Sequence, residues 1–180
     1  MESKKKTIIL GVSGSIASYK AADIISGLKK KGCEVFVIMT GEAIKFIAPL
    51  TLQTLSGNKV YCDMFEIPEE WDTKHISLAK RADLILIAPA TANIIGKLAS
   101  GICDDMLTCT VFASEAKVLI APAMNDVMYK QKILQENIKK LKTIGYKFIG
   151  PKVGKLACGY EAIGCLADVD DIIKEAEKIL

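Results

Sequence analysis

The first residues suited to chemistry form a glycine- and serine-rich segment, GVSGSIA, that follows the apolar run TIIL. Its candidate ligand-binding residues are Gly11, Ser13, Gly14, Ser15 and Ile16. Two glycines permit a tight turn, two serines provide hydroxyl groups, and a following helix offers free backbone N–H groups at its positive end. This combination predicts a phosphate-binding loop. The segment is neither Gly-x-Gly-x-x-Gly nor Gly-x-x-x-x-Gly-Lys-Ser/Thr, so an ordinary strand-to-helix turn remains the alternative.

Two further segments of small or polar residues follow other apolar runs. Thr40 stands after the run at 34–39, where a classical NAD site has an acidic residue for the ribose. A neutral donor at this position favours a mononucleotide. The segment APATAN offers small residues against which a flat ring can lie, namely Pro89, Ala90, Thr91, Ala92 and Asn93. A helix cap at Thr91 or Asn93 is the alternative.

Three residues are candidates for a reacting group. Asn125, in the segment PAMNDVM, has a side chain that both donates and accepts hydrogen bonds. It could equally cap a helix, and its neighbour Met124 could fill the core. His75 is the only histidine, and histidine titrates near neutrality, although a lone histidine can also be structural. Cys158 lies between Ala157 and Gly159 in the segment 151–166, whose three glycines predict a mobile, structureless flap.

The elements that must position these segments alternate between apolar strands and helices. Strands are predicted at 7–12, 34–39, 60–61, 83–88, 117–121 and 146–149, and helices at about 16–31, 76–82, 93–99, 104–113, 126–143 and 170–180. In the first helix, Ile16, Tyr19, Ile24 and Leu28 form an apolar stripe. Continuous apolar strands are typical of a parallel sheet covered on both faces. The pattern predicts one α/β domain over 1–180, a doubly wound parallel sheet that binds its ligand beyond the carboxyl ends of the strands.

Composition excludes several classes of protein. The chain has 180 residues, of which 51% are hydrophobic and 25% charged, and its net charge is only +3. These values argue against disorder and against a dedicated nucleic-acid binder. No apolar run reaches the roughly 18 residues that a membrane span needs, and no signal peptide is evident, so we expect a cytoplasmic protein with reduced thiols.

The cysteines do not predict a metal site. No Cys-x-x-Cys pair occurs among the six cysteines, and there is only one histidine to complement them. Apart from Cys158 and Cys165, the cysteines are interpreted as packing residues, namely Cys33, Cys62, Cys103 and Cys109.

Taken together, four segments and His75 resemble the homo-oligomeric flavin-containing cysteine decarboxylases. The segments are GVSGSIASYK at 11–20, APATAN at 88–93, PAMNDVM at 122–128 and LACG at 156–159. The similarity runs over essentially the whole chain in order and spacing. It implies that His75 is the active-site histidine, that Asn125 binds the substrate carboxylate, and that Cys158 donates a proton in the final reduction. It also implies that the glycine–serine loop, Thr40 and residues 89–93 bind flavin, with Met124, Ala157 and Gly159 beside the substrate.

The resemblance further implies a flavodoxin-like or Rossmann-like three-layer sandwich that binds FMN. It implies trimers, or a dodecamer built from trimers, with the flavin at a subunit interface. The implied reaction is decarboxylation of 4′-phosphopantothenoylcysteine to 4′-phosphopantetheine, through thioaldehyde and enethiol intermediates, in coenzyme A biosynthesis. Many bacterial relatives carry a fused ligase, so we expect a stand-alone decarboxylase or the amino-terminal half of a bifunctional protein. One departure is Cys165, which stands where relatives commonly have arginine.

Three other functions remain open. A relative that oxidatively decarboxylates a peptide's C-terminal cysteine would not need Cys158. A non-catalytic regulatory flavoprotein would not need His75 and Asn125. A nucleotide-binding module without flavin would be colourless when purified.

Overall fold

A six-stranded parallel sheet forms the centre of the computed structural model, which describes residues 5–65 and 73–180. Its strands are β1 (Thr7–Val12), β2 (Glu34–Met39), β3 (Val60–Tyr61), β4 (Leu84–Ala90), β5 (Lys117–Pro122) and β6 (Lys147–Phe148). They lie in the order β3-β2-β1-β4-β5-β6. The direction of chain progression reverses between β1 and β4, which is where doubly wound sheets open a ligand crevice. The predicted fold class is confirmed.

Helices cover both faces of the sheet. One face packs against α1 (Ala21–Lys30), α2 (Pro49–Ser56) and α8 (Val169–Ile179). The other packs against α3 (Lys74–Arg81), α4 (Ala92–Ser100), α5 (Met106–Phe112) and α7 (Lys132–Thr143), which follows the short α6 (Asp126–Lys130). Within β1, Ile8 and Leu10 belong to the first core and Ile9 to the second, and all three are fully buried. Side chains of a strand alternate between faces, so the strand has to be apolar throughout.

The helix predicted from residue 16 begins differently from the expectation. Residues Ile16–Lys20 form a 3-10 turn, capped by the Ser15 side chain, and α1 starts only at Ala21. Ile16 and Tyr19 are 61% and 56% exposed, so the prediction that they join the buried stripe is wrong. Residues three apart are eclipsed in a 3-10 helix, so these two side chains share a side that does not continue the apolar face of α1.

The structure differs from the predicted helices at two other places. The helix expected at 126–143 is interrupted at Gln131, whose backbone is extended (φ −58°, ψ 131°). The helix α2 was not predicted. It starts at Pro49, which suits the first turn of a helix, and ends at Gly57 with a positive φ of 74°.

The segment 151–166 is largely a hairpin, not the structureless loop that was predicted. Strand β7 (Lys152–Lys155) pairs antiparallel with β8 (Glu161–Cys165), and only five residues connect them. Gly164 permits close approach of two backbones, because a Cβ there would lie 2.1 Å from the Met124 carbonyl oxygen. The Met124 N–H donates to the Gly164 oxygen at 3.0 Å. This glycine therefore serves packing of the hairpin against the segment after β5.

The cysteines outside the hairpin have unequal surroundings. Cys33 and Cys62 pack against the first core, and Cys109 is half-buried, but Cys103 is exposed. The packing role predicted for Cys103 is therefore wrong. None of the six cysteines forms a disulfide. In residues 5–65 and 73–180 no helix is long and apolar enough to cross a membrane.

Candidate active site

A cavity of about 660 Å³ opens at the carboxyl ends of β1, β4 and β5. Its walls are formed by residues 14–17 with Tyr19 and Lys20, by Thr91, by 123–125 with Met128, and by 155–159 with 164–166 of the hairpin. Small-molecule pockets commonly have volumes of about 300–1,000 Å³. Residues distant in sequence thus converge at the edge of the sheet where a ligand was expected.

The loop after β1 is tied to the segment after β4 by Ser13. Its buried hydroxyl donates to the Pro89 carbonyl oxygen at 2.8 Å and accepts from the Thr91 N–H at 3.0 Å. These bonds use the hydroxyl within the protein, so Ser13 positions the loop and does not itself line the cavity. Of the predicted flavin-binding residues, Gly14, Ser15, Ile16 and Thr91 do line it.

The remaining predicted flavin-binding residues lie outside the cavity wall; they are Gly11, Ser13, Thr40, Pro89, Ala90, Ala92 and Asn93. Thr40 is nearly buried at the end of β2, where its N–H donates to the Val12 oxygen at 3.0 Å. Gly11 lies within β1, against the Leu107 side chain. Pro89 and Ala90 belong to β4. Within a single chain, these residues therefore support the loops that form the cavity and do not form its wall themselves.

The loop at Gly14 has the donor groups that a phosphate requires. The N–H groups of Gly14 and Ile16 donate to no acceptor in the described part of the chain, and both residues line the cavity. The Ser15 hydroxyl lies between them in sequence. A Cβ on Gly14 would lie 2.3 Å from the Glu42 Cβ, so only glycine fits this close approach to the turn after β2. The Ser15 N–H, between those of Gly14 and Ile16, donates to the Ser13 oxygen at 2.9 Å, and unpaired backbone donors of such a turn form an anion-binding concavity.

Asn125 is the N-cap residue of α6 and faces the hairpin. Its Oδ1 accepts from the N–H groups of Val127 at 2.9 Å and Met128 at 3.4 Å, which caps the helix. Because the oxygen is engaged there, Nδ2 faces the other way, 3.2 Å from the Tyr160 hydroxyl and 3.8 Å from the Cys158 sulfur. The helix-cap interpretation is therefore correct, and the same geometry also directs amide donors towards the hairpin turn.

Tyr160 and Asp126, which the sequence analysis did not identify, lie outside the cavity wall but are joined to Asn125 by hydrogen bonds. The Tyr160 hydroxyl donates to Asp126 Oδ1 at 2.6 Å, and Lys130 Nζ donates to Oδ2 at 2.9 Å. The hydrogen bond from Tyr160, which has the larger effect, and the bond from Lys130 hold the pKa of Asp126 below its usual range. The bond between Tyr160 and Asp126 also raises the pKa of Tyr160 to about 12, because an ionised phenolate would face the Asp126 carboxylate. The one available sequence signal was a tyrosine directly after the small residues of LACG.

The structure brings Asn125 and Cys158 together but leaves His75 apart. The Cys158 thiol is exposed on the hairpin turn and lines the cavity, as do Met124, Ala157 and Gly159. His75 is half-buried in the first turn of α3 and is absent from the cavity wall. Within a single chain, the histidine and the cysteine therefore do not share a site.

Positive charge in the cavity wall comes from Lys20 and Lys155. Cys165 also lines the wall, and its thiol contacts the Lys155 carbonyl oxygen at 3.5 Å across the hairpin. The strand register pairs Lys155 with Glu161 and Cys165 with Lys152, so Lys155 is a cation of the cavity wall that contacts, but is not paired with, the residue at the expected arginine position.

A doubly wound sheet with unpaired loop donors at its switch point defines a nucleotide- or flavin-binding class of α/β protein. The chain belongs to the Flavoprotein family, whose model matches residues 1–180. It is 52% identical over 171 residues to the coenzyme A biosynthesis bifunctional protein CoaBC of Borreliella burgdorferi, covering 95% of this chain and 44% of that protein. The chain therefore spans less than half the length of this relative.

A second relative matches along its whole length. The probable phosphopantothenoylcysteine decarboxylase of Streptococcus mutans is 49% identical over 177 residues, covering 97% of this chain and 99% of that protein. Among solved structures, a cysteine-to-serine variant of PPC decarboxylase with pantothenoylaminoethenethiol superposes with a TM-score of 0.88 at 28% identity, covering 97% of this chain and 98% of that one. The FMN-binding protein AtHal3 gives 0.86 at 29% identity, covering 97% and 96%.

Proposed function

We propose that the chain catalyses FMN-dependent decarboxylation of 4′-phosphopantothenoylcysteine to 4′-phosphopantetheine, a step of coenzyme A biosynthesis. The observation that carries the proposal is the placement of the Asn125 amide and the Cys158 thiol 3.8 Å apart in the cavity wall. The same cavity includes the unpaired donors of the Gly14 loop. The relative from Streptococcus mutans carries the name of this activity and matches nearly the whole chain.

The residues of the cavity suit the parts of FMN and of the substrate. The N–H groups of Gly14 and Ile16 and the Ser15 hydroxyl would hold a phosphate monoester, while apolar Ile16 and Met124 offer surface for a ring. Bound FMN supplies a reversible two-electron oxidation of the cysteinyl carbon, which makes loss of CO2 possible. This chain's own residues orient the substrate and supply the proton.

Asn125 orients the reacting carboxylate. With Oδ1 held by two backbone N–H groups and one Nδ2 hydrogen directed at the Tyr160 hydroxyl, the second Nδ2 hydrogen, on the side of the Cys158 sulfur, is the one available to the substrate. Such positioning keeps the carboxylate where its bond to carbon can break. Loss of CO2 would leave an enethiolate, and the Cys158 thiol would give its proton to the carbon that carried the carboxylate, with the two electrons of the final reduction returning from the flavin to the sulfur-bearing carbon. The hairpin turn that carries Cys158 excludes water from the reacting atoms.

The first test is an absorbance spectrum of the purified protein, followed by anaerobic addition of 4′-phosphopantothenoylcysteine. We expect flavin absorption at about 450 nm, release of CO2 and formation of 4′-phosphopantetheine in equal amounts. Flavin absorption without CO2 would contradict this substrate and indicate a regulatory flavoprotein or another substrate. A colourless protein that takes up no flavin would contradict the cofactor.

Replacement of Gly14 by alanine is expected to lower the bound flavin content at least about tenfold, since a Cβ at 2.3 Å from Glu42 displaces the donor loop. The measurement is the flavin-to-protein absorbance ratio after gel filtration, with circular dichroism to verify the fold. Gly96→Ala in α4 is the matched control, because its Cβ would meet only Asn137 Nδ2, at 4.0 Å. Equal flavin content in the two variants would contradict the assignment of this loop.

Lys155 is proposed to bind the phosphate of the substrate. We expect Lys155→Gln to lower kcat/KM about tenfold for 4′-phosphopantothenoylcysteine and less than about twofold for the same molecule without phosphate. Lys155→Arg should retain most of the preference for the phosphorylated substrate over the same molecule without phosphate. Lys139→Gln, on an exposed position of α7, is the control. If Lys155→Gln weakened both substrates equally, a phosphate contact would be ruled out.

We propose that the active protein is a homo-oligomer built from trimers, with a second copy completing each site. Ile16, Tyr19 and Met128 all line the cavity and remain about half exposed or more, which leaves apolar surface at its mouth for a second copy to cover. His75 stands outside the cavity of its own chain, so the histidine of a neighbouring copy is the one proposed to act there. Light scattering on the flavin-loaded protein gives the molar mass that tests the assembly.

We propose that residues 1–180 form the single domain that carries this activity. We also propose that the protein is located in the cytoplasm. The bifunctional relative from Borreliella burgdorferi supports a ligase fused to such a unit in a longer protein. Six cysteines that form no disulfide suit a reducing compartment.

A further inference from the structure

Tyr160 joins the hairpin turn to the start of α6 through its hydroxyl group. The residue is 46% exposed, yet its oxygen has a partner on each side, Asp126 Oδ1 at 2.6 Å and Asn125 Nδ2 at 3.2 Å. Asp126 is only 7% exposed, and Lys130 engages its other oxygen. The hydroxyl therefore connects the turn that carries Cys158 to the residue proposed to bind the carboxylate.

The direction of each hydrogen bond follows from the number of hydrogens. A carboxylate only accepts, so the single Tyr160 hydroxyl hydrogen goes to Asp126. The phenolic oxygen is left to accept from the Asn125 amide, whose own oxygen already accepts two backbone N–H groups. Rotating the amide would break these bonds and place its oxygen against the lone pairs of Tyr160. The network thus permits one orientation of the Asn125 side chain.

We propose that Tyr160, held by Asp126, is a positioning residue that orients the Asn125 amide and seats the Cys158 turn over the cavity. Its kinetic consequence rests on the proposed function, whereas its effect on the exposure of Cys158 does not. Reactions that depend on a near-attack geometry lose about 100-fold for a displacement of about 1 Å. The proton-transfer step at Cys158 should therefore be more sensitive to Tyr160 than substrate binding is.

The first measurement needs no substrate. In the flavin-loaded protein, the alkylation rate of Cys158 by iodoacetamide is followed by peptide mass spectrometry, with exposed Cys103 as internal reference. Tyr160→Phe removes only the hydroxyl, and we expect Cys158 to react about 5-fold faster, the factor that one net hydrogen bond provides. Tyr61→Phe, at a half-buried tyrosine in β3 at the far edge of the sheet from β6, is the matched control and should leave the rate unchanged.

The second measurement is the ratio of 4′-phosphopantetheine formed to CO2 released. If Tyr160 had a merely structural role, its replacement would lower 4′-phosphopantetheine formation and CO2 release in proportion and leave the ratio unchanged. We expect Tyr160→Phe to lower the ratio, with a fall in kcat of about tenfold and a KM within about threefold. Asp126→Asn should change both measurements in the same direction but less, because an amide still accepts from the phenol.

Each outcome tests either the role of Tyr160 or the proposed function, and the two can be told apart. Unchanged alkylation of Cys158 in both variants would overturn the role of Tyr160, whatever the activity. Faster alkylation in Tyr160→Phe would support it even if the parent protein released no CO2, a result that would refute only the proposed function. Faster alkylation with an unchanged product-to-CO2 ratio would overturn the link to proton transfer.

Discussion

Replacement of Cys158 by serine is expected to abolish formation of 4′-phosphopantetheine while CO2 release continues. The hydroxyl preserves the size of the side chain at the cavity wall but is a far weaker acid than a thiol. General acids contribute about 10²- to 10⁴-fold to the step that they catalyse, so the reduced product should fall by at least about 100-fold. The oxidised enethiol should form in its place, one per bound flavin under anaerobic conditions because the two electrons would remain on the flavin, and repeatedly when dioxygen is admitted to reoxidise it. Mass spectrometry of the reaction mixture measures both products.

The control for this variant is Cys103→Ser, which changes an exposed thiol outside the cavity wall. It should leave both products unchanged. A solved cysteine-to-serine variant of a PPC decarboxylase holds pantothenoylaminoethenethiol, which is the kind of enethiol that the stalled reaction is expected to leave. Complete conversion to 4′-phosphopantetheine by Cys158→Ser would refute the proton-donor role.

Replacement of Asn125 by aspartate is expected to lower kcat/KM by about 10³-fold with little loss of stability. Aspartate and asparagine cap helices equally well, and the bonds from the N–H groups of Val127 and Met128 can form with either. The change therefore keeps α6 but exchanges the Nδ2 donor for a negatively charged oxygen. A site built to donate hydrogen bonds loses several orders of magnitude when its donor is removed, and repulsion of the substrate carboxylate adds to that loss.

Steady-state kinetics and thermal unfolding together test the aspartate variant. A melting temperature within a few degrees of the parent, combined with the loss of kcat/KM, would support a role in carboxylate binding. Asn125→Ser, a smaller cap without the charge, should lose less activity than Asn125→Asp. If the aspartate variant retained most of its activity, the amide donors could not be what orients the carboxylate.

The strand ends that form the cavity were predictable because the evidence for them is local. The run LILIA in β4 is apolar at every position, which identifies a strand covered on both faces. Alternation with helices then predicts a parallel sheet whose carboxyl ends share one edge. The positions of Gly14, Asn125 and Cys158 in the cavity wall follow from that order.

Other features depend on pairs of residues far apart in the chain. The Ser13 hydroxyl is turned away from the cavity by Pro89 and Thr91, more than 70 residues later. The hairpin at 151–166 carries three glycines, of which Gly164 is required by close contact with Met124. Local sequence cannot distinguish a glycine that permits motion from one that permits packing.

The sequence by itself thus determined the fold class, the edge of the sheet where the cavity lies, and the cysteine and asparagine proposed to act there. The fold class and the edge of the sheet follow from hydrophobic periodicity, and the choice of the cysteine and the asparagine follows from the resemblance to the flavin-containing cysteine decarboxylases. Only the tertiary structure decided that Tyr160 and Asp126 meet across 34 positions, that Ile16 and Tyr19 face outward, and that His75 lies outside its own chain's cavity. These depend on contacts between distant segments, whose geometry is set by the packing of the whole domain and not by local conformational preference.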